Sequence, residues 1–350
     1  MQDALLQREI LRESEMVVAY REALDSGYLL VDVRSAAEFH RGALPGAINI
    51  ELFDSDERAH IGTIYKHGGQ TRAIEQGFAC VAPKLEGLLL DFEPYKNRTI
   101  AIYCARGGMR SRSVVNLLRL KGYSALQIEG GYKSYRQEVL DFLAHFRPRL
   151  IVLHGYTGVG KTRIIQGLKE SIDLEELAQH RSSLFGGLDR KPSTQCTFET
   201  RLHEAALAIG DEPFFVEGES RKIGRVYIPT AFARSMKEAV LVNIDCSLQT
   251  RISRIVEDYP IKDERQRGEI EAILLSLKQK LGRVLVEKMC DLLQKDQLNE
   301  LVHILLVEYY DKRYAMSMRD YTFALQISSE NIAEAITTLN HYRKALMAAN

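Results

Sequence analysis

Apolar residues fall in short runs separated by polar, glycine-rich breaks, and the order of these runs sets the fold class. Tyr28-Leu29-Leu30-Val31-Asp32-Val33-Arg34 is an apolar run ending in charge, as a buried strand does. Residues 17–30 around it read as a short helix closed by a turn at Asp25-Ser26-Gly27. Ser35 opens another short helix, with Glu38 three residues on to complete a capping box. The turn-rich stretch His40–Ile50 leads to a further short strand. A strand over 99–103, a helix over 111–121 with Val114, Val115, Leu117, Leu118 and Leu120 on one face, and a strand over 124–128 follow. A tyrosine-rich helix over 129–148 ends near Pro148.

The alternation then restarts. Arg149–His154 is a strand that runs straight into a glycine loop, and Phe214–Glu219 and Ala239–Ile244 are two more apolar strands. Residues 263–310 carry Ile, Leu and Val at helical spacing among many charges. A late strand over Phe323–Ile327 and a final helix over 329–347 close the chain. Strands alternating with helices predict parallel sheets. The expected architecture is α/β, with an N-terminal domain over 1–148 and a second α/β domain over 149–350 whose C-terminal part is helical.

Composition narrows the class. The chain has 350 residues, 45% hydrophobic and 27% charged, as an ordinary soluble protein of about two domains does. No apolar run reaches membrane-spanning length, and the charged start MQDALLQREILRESE has no apolar signal core. Five widely spaced cysteines lack metal-ligand spacing and suggest neither a disulfide framework nor a zinc site. A cytoplasmic protein is expected. The net charge is zero, so any nucleic-acid binding must come from a local patch.

Two stretches carry chemistry. Cys104 ends the strand 99–103, and Ala105-Arg106-Gly107-Gly108-Met109-Arg110-Ser111 follows before the next helix. A cysteine there sits where backbone N–H groups converge, and Gly107 and Gly108 let the chain curl. Arg106, Arg110 and Arg112 add positive charge. This setting favours a thiolate and an anion beside it.

The second stretch is Gly155-Tyr156-Thr157-Gly158-Val159-Gly160-Lys161-Thr162, a full G-x-x-x-x-G-K-[ST] pattern between a strand and a helix. Gly155, Gly158 and Gly160 free N–H groups for a diphosphate, Lys161 supplies charge, and Thr162 can reach a magnesium ion. Glu217, at the end of the Phe214 strand, is the expected contact to metal or water, although Asp is usual there. Arg221, Lys222 and Arg225 follow as a basic cluster, suited to a substrate phosphate or to nucleic acid. Arg181–Gly187 is a second small-residue loop in the same region.

The first domain resembles the rhodanese family in Asp32-Val33-Arg34, Glu38-Phe39, Gly42, Pro45-Gly46-Ala47, Asn49 and the loop after Cys104. The chain from about 28 to 226 is similar to the bacterial tRNA 2-selenouridine synthases, which fuse a rhodanese domain to a P-loop domain. Tyr103–Ser111, Tyr65–Gln70, Gly130–Lys133, the phosphate loop and Phe215–Gly224 carry that likeness. Two positions depart from the family pattern: Ala105 replaces a bulkier residue, and Gly218 an acid.

The resemblance implies replacement of sulfur by selenium in wobble 2-thiouridine of tRNA. The route would be S-geranylation from geranyl diphosphate, then displacement using selenophosphate. It makes Cys104 the nucleophile and selenium carrier, with Arg106, Gly107, Gly108 and Arg110 holding selenophosphate. The phosphate loop would hold the geranyl donor, with ATP or GTP as competitors. No cofactor is tightly bound in this reading, and magnesium is the candidate ion to accompany the diphosphate. Partners would be tRNA and selenophosphate with its synthase, and no membrane. Arg221, Lys222 and Arg225 are the candidates for tRNA.

Two other readings stand beside it. One is another rhodanese-type sulfurtransferase or a cysteine phosphatase fused to a nucleotide-binding domain: Cys104 and Arg110 have the spacing of cysteine phosphatases, but Tyr103 takes the place of their usual His. An adaptor that binds tRNA and nucleotide without using Cys104 is the other.

Overall fold

The apolar runs become two five-stranded sheets, each wholly parallel. The computed structural model describes residues 16–181, 185–186 and 191–348. The chain divides into two compact units, Met1–Asp141 and Phe142–Asn350. The expected loop 181–187 lies partly outside the described residues, and the charged N-terminal stretch 1–15 wholly so.

In the first unit, strands β1 (Val17–Val18), β2 (Leu29–Asp32), β3 (Ile48–Asn49), β4 (Ile100–Tyr103) and β5 (Ala125–Ile128) pair in the order β1-β5-β4-β2-β3. The central β4 is fully buried because helices cover both faces of such a sheet. Ile100, Ile102, Val31, Phe92, Val114 and Leu118 belong to one core. Ser35 caps the helix Ala36–Arg41 through the expected box with Glu38, a device worth about 1 kcal/mol.

Two local expectations change. The helix expected over 17–30 occupies only Tyr20–Asp25, because Val17 and Val18 pair with Gln127 and Ile128 as an edge strand. β-Branched residues beside an open sheet edge favour that outcome. A long helix, Ser55–Val81, fills a stretch with no sequence assignment, and Gly69 interrupts it at φ +83°. Only Ala73 and Gly77 of that helix are buried, so its apolar pattern is faint.

The second unit repeats the plan with β6 (Leu150–His154), β7 (Ser171–Ile172), β8 (Phe214–Glu217), β11 (Val240–Asp245) and β12 (Leu325–Ser328), ordered β12-β11-β6-β8-β7. A separate hairpin, β9 (Lys222–Ile223) and β10 (Val226–Tyr227), follows β8. The expected helical part is present as Glu264–Ser276, Lys278–Leu281, Arg283–Gln294 and Leu298–Leu305, with its own core of Ile270, Val286, Met289, Leu301 and Leu305. A single π-turn, Leu306–Tyr310, joins it to the helix Asp311–Ser317. The final helix is Ile332–Ala348.

Candidate active sites

Both candidate loops leave the carboxyl end of the central strand of their sheet, where parallel α/β folds open a crevice. In the first unit that strand is β4 and the loop begins at Cys104. The Gly108 N–H donates to Cys104 Sγ at 3.3 Å, and the Ser111 hydroxyl does so at 3.2 Å. Gln127 on β5 braces the loop, its Nε2 donating to the Gly107 carbonyl at 2.7 Å and to Ser111 Oγ at 2.9 Å. Burial alone would push the Cys104 thiol up. The Ser111 hydroxyl, the backbone N–H groups of Arg106 and Ser111, and the charge of Arg110 outweigh it and hold the thiol below its ordinary value. Cys104 is only 3% exposed.

The loop is held from behind by a helix starting 27 residues later. Tyr132 N–H donates to the Cys104 carbonyl and Lys133 N–H to that of Ala105, each at 2.9 Å. Only glycine allows this approach. A Cβ on Gly131, at φ +58°, would lie 2.3 Å from the Cys104 carbonyl oxygen and 2.5 Å from the Gly107 nitrogen. Tyr132 also stacks on the guanidinium of Arg34, 4.0 Å away. Arg34 is buried and forks onto the fully buried Asp32, with Nε at 2.9 Å, while its Nη2 reaches the Gly42 carbonyl at 2.7 Å. The Asp-Val-Arg stretch is therefore scaffold. Tyr103 is scaffold too, its buried hydroxyl accepting from Leu44 N–H at 3.1 Å.

The arginines divide. Arg110 is half-buried and bound to Glu38 at 3.0 Å, while Arg106 and Arg112 are exposed. Glu38 thus serves its helix cap and Arg110 at once, which the sequence pattern did not reveal.

In the second unit the phosphate loop leaves β6. Gly155, Gly158 and Gly160 all have positive φ. A Cβ on Gly155 would lie 2.3 Å from the Ile244 carbonyl oxygen. Lys161 folds back over the loop, donating to the Gly155 carbonyl at 2.7 Å. Thr162 Oγ1 donates to Glu217 Oε1 at 2.9 Å, joining the two expected metal-contacting residues. Glu217 Oε2 is buried without a hydrogen-bond partner. Burial, followed by the nearby Glu175, Asp173 and Glu219, pushes the Glu217 carboxyl well above its ordinary value. Among the described residues, no group of three or more His, Cys, Asp and Glu side chains is arranged to hold a metal by itself.

The departure at Gly218 has a steric cause. A Cβ there would sit 2.4 Å from the imidazole of His154, whose ring centre lies 4.7 Å from that of Tyr321 with the planes tilted by 55°. Burial and the charge of Lys161 lower the His154 pKa to about 4, so its ring is neutral at physiological pH.

Two further arginines brace the loop. Arg251 Nε donates to the Thr157 carbonyl at 2.8 Å and Arg254 Nη1 to that of Val159 at 2.9 Å. Arg251 also pairs with Asp311. Their spacing, three apart on the helix Leu248–Asp258, was the available signal.

Lys161, Thr162 and Glu217 line a cavity of about 690 Å³. Its other wall comes from the C-terminal part, with Tyr309, Tyr310, Tyr314 and Tyr321 among the lining residues. The π-turn contributes two of these tyrosines, as such turns do at functional sites. Arg221, Lys222 and Arg225 do not line the cavity. They are exposed on the β9–β10 hairpin, and Arg221 donates to Thr230 Oγ1 at 2.9 Å. Arg163, Arg181 and Arg313 are the arginines that line it.

A rhodanese-type cysteine loop and a phosphate loop on one chain define a two-site fusion protein. Comparison with known proteins agrees. The profile of the rhodanese-like domain matches residues 17–138, and that of the tRNA 2-selenouridine synthase AAA domain matches 148–344. The tRNA 2-selenouridine synthase of Pseudomonas syringae pv. syringae is 36% identical over 85% of this chain and 90% of its own length. That of Nitrosomonas europaea is 38% identical over 66% of this chain and 63% of its own length, slightly under two thirds. A solved N-terminal domain of a protein titled as ATP/GTP-binding, from Clostridium difficile 630, is 43% identical. It covers 35% of this chain and 98% of its own, with a TM-score of 0.34. The chain belongs to the tRNA 2-selenouridine synthase family, a family of tRNA-modifying enzymes. Among the described residues no helix is long and apolar enough to cross a membrane.

Proposed function

We propose that the protein converts wobble 2-thiouridine of tRNA to 2-selenouridine in two steps, one at each loop. The observation that carries this reading is Cys104, held by the Gly108 N–H and the Ser111 hydroxyl at an anion-binding loop. In the first step the thiouridine sulfur attacks C1 of geranyl diphosphate. The C–S bond forms, the C–O bond breaks, diphosphate leaves, and the N3 proton of the base is released to solvent. The glycine N–H groups and Lys161 stabilise the departing charge. The oxygen donors of Thr162 and Glu217, one of them buried without a partner, suit magnesium. Bound there, magnesium would neutralise the leaving diphosphate.

In the second step selenium from selenophosphate forms a bond to C2 as geranylthiol leaves. Alkylation makes this exchange feasible, because the thioether-type sulfur departs more readily than a thiocarbonyl sulfur. Arg106, Gly107, Gly108 and Arg110 hold the selenophosphate anion. The Cys104 thiolate attacks its phosphorus, and the P–Se bond breaks to release the selenide that attacks C2. Water then hydrolyses the phosphocysteine to phosphate and free Cys104. Arg221, Lys222 and Arg225 offer an exposed basic surface to tRNA.

The test is mass spectrometry of wobble nucleosides from cells grown with selenium, with and without the protein. Loss of 2-selenouridine on deletion supports the reading; its persistence refutes it. Purified protein with 2-thiouridine tRNA and geranyl diphosphate, without selenophosphate, is expected to accumulate the geranylated nucleoside.

A further inference from the structure

Neither loop's chemistry engages the stretch Tyr65–Gln70, in the middle of the helix Ser55–Val81. The helix is fastened to the core of the first unit on both sides of that stretch, by Ile61 before it and by Cys80 and Val81 after it. Between these anchors no residue from 62 to 72 is buried. A helix in a folded protein owes most of its stability to an apolar face packed on something. This stretch has no such face, so packing does not account for its residues.

The side chains it shows to solvent are of two kinds. Arg58, Lys66 and Arg72 are exposed, with His60 and His67, and no Asp or Glu occurs between Arg58 and Ile74. Tyr65 is 61% exposed, the only exposed large apolar side chain on that span. Gly69 breaks the helix at φ +83°, and nothing lies within 4 Å of a Cβ built there. The break therefore redirects the chain and does not serve a close contact. Two contacts tie the stretch to the Cys104 loop. Gln70 Nε2 donates to Met109 Sδ at 3.8 Å, one residue beyond the Gly108 N–H that donates to the sulfur. Arg58 and Arg110 share one oxygen of Glu38, at 3.5 and 3.0 Å.

We infer that this face of the helix is an RNA-docking surface, which holds the single-stranded nucleotides beside the target base while that base is at Cys104. The inference rests on the reading that selenium transfer takes place at Cys104, and it adds the surface that presents the tRNA there. Cys104 is buried, so a base attacked beside it has to leave its stack, and its neighbours in the RNA then lie on the rim of the loop. Lys66 and Arg72, on a stretch without carboxylates, suit a phosphate backbone. An exposed ring among cations suits the face of any base. A protein partner asks for a contiguous apolar centre, and Tyr65 alone does not make one. This surface belongs to the first unit and is distinct from the cluster Arg221, Lys222 and Arg225 of the second.

The experiment uses the full-length protein and an RNA hairpin of anticodon stem-loop form, with S-geranyl-2-thiouridine at the wobble position and 4-thiouridine next to it for photo-crosslinking. Illumination is expected to join the RNA to a peptide containing Tyr65, and adducts confined to the second unit overturn the proposal. The crosslink is read in the natural protein and so needs no variant to fold. In fluorescence-anisotropy titrations, Lys66→Ala combined with Arg72→Ala is expected to lower affinity about tenfold, and to reduce the log–log salt slope by about 0.7–0.9 for each lost phosphate contact. Tyr65→Ala is expected to lower affinity about tenfold with the slope unchanged, since the ring carries no charge, and Tyr65→Phe to bind as the natural protein does. Iodoacetamide labelling of Cys104 at the natural rate reports that a variant keeps its folded loop. Natural affinity in either folded alanine variant overturns the proposal. Failure of the underlying reading looks different: Cys104→Ser would still make 2-selenouridine, with these binding results unchanged.

Discussion

The Cys104 loop and the phosphate loop share a backbone plan and treat charge in opposite ways. Each leaves the carboxyl end of the middle strand of a five-stranded parallel sheet, and the first bends through Gly107 and the second through Gly155, Gly158 and Gly160, all at positive φ. At Cys104 the neighbours favour the ionised form, outweighing burial with a hydroxyl, N–H groups and an arginine. At Glu217 burial and three nearby carboxylates favour the neutral form. In the proposed function the first loop supplies a nucleophile for an anion, and the second an acidic site that a bound cation would relieve. One backbone device serves two chemistries because the side chains around it, and not the loop, set the sign of the charge.

The strongest way to break this contrast is Cys104→Ser. It is expected to lower 2-selenouridine formation by about a thousandfold or more, while geranylated tRNA still accumulates in a nucleoside mass-spectrometric assay. Selenouridine made at the normal rate by the serine variant removes Cys104 from the chemistry. Lys161→Ala is the counterpart at the other loop. Loss of one charge-assisted contact costs about 1.5–3 kcal/mol, roughly ten- to hundredfold in diphosphate affinity. Pre-geranylated tRNA is expected to rescue Lys161→Ala and not Cys104→Ser. Failure of that rescue, with tRNA still bound, means the two loops do not divide the reaction.

Two finer tests read the opposed titrations directly. The Glu217 carboxyl is raised in the native state, so the native protein keeps a proton that the unfolded chain has released. That contribution is complete below the ordinary carboxyl range and is lost as pH rises through the native value. Glu217→Gln removes the loss. In magnesium-free buffer its melting temperature is expected to exceed that of the natural protein near neutral pH, the gap narrowing as pH falls toward about 4. A gap that does not change with pH contradicts the assignment. Ser111→Ala acts on the other loop, deleting a donor to the sulfur. The pH midpoint for iodoacetamide labelling of the Cys104 peptide is expected to move upward, and an unmoved midpoint would leave the hydroxyl without a role in ionisation.

The smallest expected effect lies away from both loops. Replacing Arg221, Lys222 and Arg225 by Ala is expected to weaken tRNA binding and to flatten its salt dependence by about 0.7–0.9 in log–log slope for each lost phosphate contact. An unchanged slope would move the RNA surface to the arginines lining the phosphate-loop cavity.

The chain's local order was enough to determine the α/β class, the two parallel sheets, the strand–loop–helix setting of Cys104 and the complete phosphate loop. These features are written within a few consecutive residues, where a strand, a glycine turn and a helix start all leave marks of their own. The capping box at Ser35 and Glu38 was legible for the same reason. The edge strand Val17–Val18 was not, because two valines become a strand only when β5 offers its edge. Tertiary structure alone decided what surrounds each loop. Gln127 reaches the Cys104 loop because β5 lies beside β4, and Gly131 clamps it from 27 residues away. Arg251 and Arg254 hold the phosphate loop from 94 and 95 residues away. The tyrosine wall comes from a C-terminal part whose helical spacing told only that one face was buried, and not what that face would meet. Periodicity records which side of an element leaves water. Which partner waits there depends on how strands are ordered and helices packed, and no single stretch of sequence contains that information.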